Sequence, residues 1–446
     1  MANTKSSLKR HITLWPLVLY GMGDILGAGV YGLIGKAAGQ MGNAVWMAFL
    51  MSMIAAGFTG LSYASLGSRY PRAGGASYVT LKAYGSNFMA YVVGLAVLAS
   101  GLTSMAVASR VFAGYFSGIF SQIPTPLIIV TFAIVLAAII FIGIRETLWV
   151  NSLLTIIEIS GLVIIIAVGI SFLGDINYLD AKTTENLNGD ITLSLLLGGA
   201  VLTFYSFIGF EDILNVSEEV KNPRRTLPLG LLLALAFASV VYILISLVAV
   251  SVVPAAELAQ SRQPLVDVLT RAAPWFPAPI YSVIALLAVS NTALLNYVMG
   301  SRLLYGMASQ GLMPKILGEV HSKRATPHIA VLVILVILLI LALSGNIEAL
   351  AKSTSVLLLA SFAIVNLGLL ILQRKDKTKG EFEVPAFVPA MGLLICLAML
   401  SQAEKNEASI AGAIIAVIVI LFFALKPKLL GRAKIFEVTN QSENNP

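Results

Sequence analysis

The first membrane-length apolar run of the chain is interrupted at its centre. It extends over about 14–33, and its middle reads Gly21-Met22-Gly23-Asp24-Ile25-Leu26-Gly27-Ala28-Gly29. A run of ~20 predominantly apolar residues spans a bilayer as a helix. Glycine weakens a helix by ~1 kcal/mol relative to alanine and permits other backbone. A carboxyl group at membrane depth is costly and marks a functional position. The run therefore predicts a spanning helix broken around Ile25 to Gly29, with the break holding a solute. Gly23 and Gly27 also make a GxxxG spacing, which serves close helix packing, but packing gives no reason for Asp24 between them. A dinucleotide-binding glycine turn needs a strand before it and a helix after it. Here both flanks are membrane-length apolar sequence.

The rest of the chain repeats the pattern. Twelve apolar segments are read at roughly 14–37, 42–68, 86–118, 126–144, 150–173, 193–217, 227–252, 276–309, 328–344, 348–372, 386–402 and 409–425. Charged residues make up 11% of the 446, against ~25% in soluble domains. Only helices and closed barrels satisfy their backbone in lipid, and continuous apolar runs select helices. The expectation is an all-α integral membrane protein of twelve transmembrane helices forming a single domain over 1–446. The single cysteine, Cys396, excludes an intramolecular disulfide. The net charge of +7 is scattered over many loops and gives no nucleic-acid patch. The first run is too long for a signal-peptide core and lacks a clear cleavage site.

Basic residues set the orientation. With the N-terminus inside, Lys5, Lys9 and Arg10, the loops around Arg69–Lys82, Arg145, Lys221–Arg225, Arg302–Arg324 and Arg374–Lys379, and the C-terminal lysines all lie inside. Lys36, Lys182, Arg262, Arg271, Lys352 and Lys405 are left outside, and Arg110 lies within a span. Both termini are thus expected in the cytoplasm, in a multi-pass protein of the cell membrane.

The sixth run carries a second interruption, Thr203-Phe204-Tyr205-Ser206-Phe207-Ile208-Gly209-Phe210-Glu211-Asp212. A simple kink would not need two adjacent carboxylates. The third and eighth runs are both unusually long, so spans one and three correspond to spans six and eight. A five-span unit repeated with an odd number of crossings is inverted in its second copy. Inverted repeats with matched broken helices point to a secondary transporter with its site at the midplane. The repeats would be 14–173 and 193–372, with 386–425 added as two further helices.

The broken halves present opposite backbone poles. The outer half of the first span begins near Ala28 and offers unpaired N–H groups; the first half of the sixth ends near Ser206 to Ile208 and offers carbonyls. A zwitterion suits that pair. The carboxylate of an amino acid would sit on Gly27, Ala28 and Gly29, and its ammonium on carbonyls around Ile25, Phe204 and Phe207. Tyr205 and Ile208 would flank its side chain.

Gly27-Ala28-Gly29-Val30-Tyr31, Tyr70-Pro71-Arg72-Ala73-Gly74-Gly75, Thr203 to Glu211, and Glu218-Glu219-Val220-Lys221-Asn222-Pro223 resemble the amino acid–polyamine–organocation (APC) transporter superfamily. The second interruption is similar to that of bacterial amino acid permeases and arginine/agmatine antiporters in it, with Tyr205 where the antiporters carry tryptophan. The resemblance implies a leucine-transporter-like (LeuT) 5+5 inverted repeat, alternating access, and substrate backbone held at the two breaks. It departs at Ala28, where the family often has serine, so one hydroxyl donor is missing. Glu158 falls where some members carry a lysine that stands in for a sodium ion. Glu211 matches an acidic position linked to proton sensing.

Three places therefore carry candidate coupling acids: Asp24, Glu158 and Glu211, the last beside Asp212. A carboxyl in low dielectric tends to keep its proton, and Glu211 ranks first as the group that takes up and releases one. A structural ion pair with Arg110 is the competing use. Ser290, Asn291, Thr292 and Asn296 offer oxygens for Na⁺, but such residues usually bond across helices; protons are the favoured coupling ion. No resident cofactor or metal is expected. The three histidines, His11, His321 and His328, lie at loops or span ends, and no nucleophile triad or phosphate loop occurs. A membrane enzyme, a nutrient sensor and a channel are thereby less well matched than a carrier. Neutral amino acids, cationic amino acids, polyamines, symport, antiport, monomer and homodimer all stay open.

Overall fold

The structure, a computed structural model, describes residue 10 and residues 12–71, 75–142, 147–184, 186–309, 312–321, 326–344, 346–375 and 379–429. Lys5, Lys9, His11, Arg72, Ala73, Gly74, Arg145, Lys323, Arg324, Lys377, Arg432 and Lys434 lie outside those residues.

The first apolar run divides into α1 (Leu14–Ile25) and α2 (Ala28–Met41), followed by α3 (Val45–Arg69). A short α4 (Gly75–Tyr84) leads to the long α5 (Asn87–Ile119), then α6 (Thr125–Ile142) and α7 (Thr147–Gly169). The sixth run divides into α8 (Leu193–Phe204) and a 3₁₀ helix over Phe210–Glu219. After it come α9 (Pro223–Val252), the short α10 (Ala255–Gln260) and α11 (Pro264–Ala272), and the long α12 (Ala278–Ser309). The chain closes with α13 (His328–Ser344), α14 (Ile347–Lys375), α15 (Phe387–Leu400) and α16 (Lys405–Leu429).

Among the described residues there is no β-strand beyond one isolated bridge between Ile12 and Val220. Among the described residues eight helical segments are long and apolar enough to cross a membrane, the first of them covering Leu14–Arg69 and so more than one helix; three more apolar helices are shorter. Exposed leucine, isoleucine, valine and phenylalanine on α6, α13, α15 and α16 form outward apolar faces, as helices bounded by lipid require. This is a multi-pass membrane protein. Each segment read from the sequence falls on one of these helices or helix pairs.

Packing centres on the interrupted helices. α1 packs on α7, α9 and α12; α2 contacts α8, α10 and α5; α3 packs along α9 and α8. Proline at the first position of α9 fits a helix start, where its missing N–H costs nothing.

An ion pair with a buried guanidinium ties the end of α3 to the segment before α15. Arg69, 5% exposed, donates from Nε and Nη2 to both carboxylate oxygens of Glu383 at 2.6–3.1 Å. The Gly380 N–H also donates to Glu383, and the Ser68 hydroxyl receives the Phe382 N–H. Removing Glu383 leaves the buried Arg69 guanidinium without its counter-charge, which destabilises the fold. Glu383→Ala is expected to lower the melting temperature in detergent markedly more than Glu257→Ala, whose pair with Arg271 is exposed on both sides.

Candidate functional site

Both interruptions are breaks of the same construction. In the first, Leu26 is extended (φ −66°, ψ 170°) and Gly27 has φ 117° and ψ −127°. In the second, a short 3₁₀ turn over Tyr205–Phe207 follows α8, Ile208 is extended (φ −63°, ψ 140°), and Gly209 has φ 118°. Only glycine enters that half of backbone space without strain. A Cβ on Gly27 would strike the Thr292 hydroxyl and stand 2.9 Å from Glu158 Oε1. One on Gly209 would stand 2.8 Å and 2.9 Å from the Asp24 carbonyl carbon and oxygen. The glycines are fixed by φ and by a neighbour at once.

The two breaks touch. A Cβ on Gly29 would lie 2.6 Å from the Ser206 Cα, so the start of α2 and the turn after α8 are in backbone contact. Ile25, Gly27, Ala28, Gly29, Phe204, Tyr205, Phe207 and Ile208 are thus brought together at the centre, all buried. α2 points its positive N-terminal pole at this point, and α8 its negative C-terminal pole.

Open space lies beside the contact. A pocket there is bordered by Ile208, Glu211, Asp212 and Asn215 of the sixth segment. Ser77 of α4, Ser100 and Met105 of α5, and Asn296 and Met299 of α12 complete much of its wall. Of the residues expected to hold substrate, Ile208 alone lines this pocket, together with the coupling candidate Glu211. The glycines of the first break are covered by Ser206, Thr292 and Glu158.

The candidate acids occupy two places. Glu211 Oε2 accepts from the Gly209 N–H at 3.0 Å, and Asp212 Oδ1 from Asn215 at 3.1 Å. Asp24 lies directly behind Gly209, with neither carboxylate oxygen hydrogen-bonded. Glu158 on α7 sits on the other side of the first break, fully buried. Its Oε2 is 3.5 Å from Asn291 Nδ2 and its Oε1 has no partner. Asn291 also reaches Thr155 Oγ1 and the Gly23 carbonyl, while Asn151, Thr292 Oγ1 and Asn291 Oδ1 are unsatisfied. Among the described residues no salt bridge joins Arg110 to any of these acids, so the ion pair weighed above is not formed. Nor do any three His, Cys, Asp or Glu side chains there form a group suited to a metal.

Tyrosine hydroxyls reinforce the site, and sequence reasoning did not single out most of them. Tyr31 donates to the Glu158 carbonyl at 2.9 Å, and Tyr115 to the Tyr31 carbonyl at 2.8 Å. Tyr205 bonds to Ser104 at 3.0 Å. Tyr242 of α9 reaches the Ile25 and Ser206 carbonyls at 2.5 and 2.7 Å. The one available signal for Tyr242 was a lone phenol in the run Ala238-Ser239-Val240-Val241-Tyr242-Ile243-Leu244.

A helical membrane protein whose two interrupted helices meet beside a pocket bordered by carboxylates has the construction of a transporter, as the position of such broken helices in carriers leads one to expect. Residues 12–428 match the amino acid permease family, and the chain belongs to that family, a member of the amino acid–polyamine–organocation superfamily. It is a transporter and not an enzyme. It is 27% identical over 416 residues to the branched-chain amino acid permease BcaP of Bacillus subtilis, covering 88% of both chains. Over 423 residues it is 28% identical to the methylthioribose transporter of the same organism, covering 89% of both. Cationic amino acid transporter 4 of Mus musculus is 29% identical over 392 residues, which are 83% of this chain and 61% of that longer protein.

Proposed function

We propose that the protein carries amino acids across the cell membrane by alternating access, as a secondary transporter of twelve spanning helices in a 5+5 inverted repeat plus α15 and α16. Both termini lie in the cytoplasm in this reading. The observation that supports it most is the meeting of the two breaks, with the N-terminal pole of α2 and the C-terminal pole of α8 directed at one point. The matched lengths of α5 and α12, 33 and 32 residues, fit the repeat. The substrate carboxylate takes the N–H groups of Gly27, Ala28 and Gly29. Its ammonium takes the carbonyls of Ile25, Phe204 and Phe207, and its side chain passes Tyr205 and Ile208 toward the pocket. Protons are the coupling ion, through Glu158 or Glu211, or the carrier exchanges one substrate for another. The test is saturable uptake of labelled amino acids into liposomes containing only this protein. Flux without saturation marks a channel; binding without uptake marks a sensor; either removes the proposal.

A second reading concerns the side chain carried. Glu211 and Asp212 border the pocket, Asp24 stands behind them, and none of the lining residues is Lys or Arg. That favours a cationic side chain or a polyamine over a branched one. Relatives named for branched-chain and for cationic amino acids span both choices. A hydrogen bond to a charged group is worth about 1.5–3 kcal/mol. Asp212→Asn is therefore expected to weaken lysine, arginine or polyamine uptake about tenfold or more while sparing leucine. Equal loss for leucine and lysine would exclude the cationic reading.

A further inference from the structure

Tyr242 joins the two breaks from outside either of them. Its hydroxyl stands 2.5 Å from the Ile25 carbonyl, the last residue of α1, and 2.7 Å from the Ser206 carbonyl in the turn after α8. The side chain is fully buried. Its ring meets Phe207 edge-on at 5.1 Å and Phe49 of α3 at a tilt at 5.7 Å, so the hydroxyl has little freedom to leave. A phenol carries one proton and accepts through its oxygen. Two carbonyls share one donor, and at any moment one of them lacks its hydrogen bond. A buried unsatisfied acceptor is costly, on the order of 1–3 kcal/mol.

We propose that Tyr242 is a specificity-determining residue of the carrier, recognising a primary ammonium. This rests on the amino acid transport reading given above and deepens it. The ammonium has three donors. It gives one to the Ile25 carbonyl, the phenol then holding that of Ser206, and a second to the phenol oxygen itself, completing a set that lacks one donor without it. A substrate with a hydroxyl in place of the ammonium brings one donor and leaves the set incomplete. The hydroxyl also pins α1 and the turn after α8 to α9, so the two carbonyls keep a spacing that one nitrogen can bridge.

The experiment is uptake into proteoliposomes in three steps. A labelled mixture of the twenty amino acids identifies the one the wild type carries fastest. That amino acid is then the probe, and its 2-hydroxy acid is the competitor, for the wild type and Tyr242→Phe. The phenylalanine keeps both ring contacts and removes only the oxygen. The KM of the probe is expected to rise about tenfold or more in Tyr242→Phe, with Vmax within a few-fold. The preference for amino acid over 2-hydroxy acid should fall by a similar factor. A purely structural tyrosine would lower Vmax and melting temperature and leave that preference unmoved, which overturns the assignment. So does an unchanged KM. If Tyr242→Phe does not fold, wild-type competition alone still decides: a 2-hydroxy acid that competes as well as the amino acid overturns it. Absence of any wild-type uptake removes the carrier reading itself, and this assignment with it.

Discussion

Gly209→Ala is expected to reduce amino acid uptake about a hundredfold. Two costs combine. The backbone at Gly209 has φ 118°, where an L side chain is strained by about 1–3 kcal/mol. The added methyl also meets the Asp24 backbone at 2.8–2.9 Å, and overpacking of that kind costs about 1–3 kcal/mol more. Neither neighbour can yield, because both are main chain at the point where the two breaks cross. Uptake is to be scored per mole of protein recovered as a monodisperse peak, so that loss of fold is counted separately. Gly57→Ala is the control: a Cβ there has nothing within 4 Å, and its uptake should match the wild type. Uptake by Gly209→Ala within twofold of the wild type would show that the second break plays no part in transport.

Glu158→Gln should uncouple transport from the pH gradient while keeping exchange. The carboxyl is fully buried against Gly27, one oxygen has no partner, and no salt bridge is formed with it among the described residues. Any charge on it must be neutralised by a small cation, because burying an unpaired ion is prohibitive. If that cation is a proton, one pH unit of gradient, about 1.4 kcal/mol, supports roughly tenfold accumulation for each proton carried. Glutamine keeps the size and the contact with Asn291 but carries no exchangeable charge. Accumulation driven by an acid-outside gradient should then fall to the equilibrium level, while counterflow between labelled and unlabelled substrate persists. Glu211→Gln is the parallel arm. Unaltered pH dependence in both variants would exclude protons through these groups, and accumulation restored by a sodium gradient would assign the cation to Na⁺.

Both breaks were legible in the sequence because glycine and carboxylate are conspicuous in an apolar run. The first was expected around Ile25 to Gly29 and lies at Leu26–Gly27; the second was expected near Ser206 to Ile208 and lies at Ile208–Gly209. What periodicity could not give was proximity between distant segments. Asn291 meets Glu158 and Thr155 from more than a hundred residues away, and Tyr242 meets Ile25 from farther still. A polar side chain in a spanning helix looks alike in sequence whether it faces a break or an ordinary neighbour. The open space was displaced from its expected place for the same reason. Nothing in Ser206 announces that its backbone will lie on Gly29, closing the gap between the poles, with room beside it toward Asp212 and Asn215.

The ten residues Phe210–Glu219 are wound with i to i+3 hydrogen bonds, as Asp212 N–H to the Gly209 carbonyl and Val220 N–H to that of Ser217 illustrate. Runs of that winding beyond three or four residues are uncommon, and each residue advances ~2.0 Å in place of ~1.5 Å. The segment is stretched, and relaxing to ordinary α geometry would shorten it by about 5 Å, nearly one full turn. That piece of chain is joined at one end to Gly209 and at the other to the bridge between Ile12 and Val220. Any change in its winding would therefore alter the distance between the second break and the start of α1.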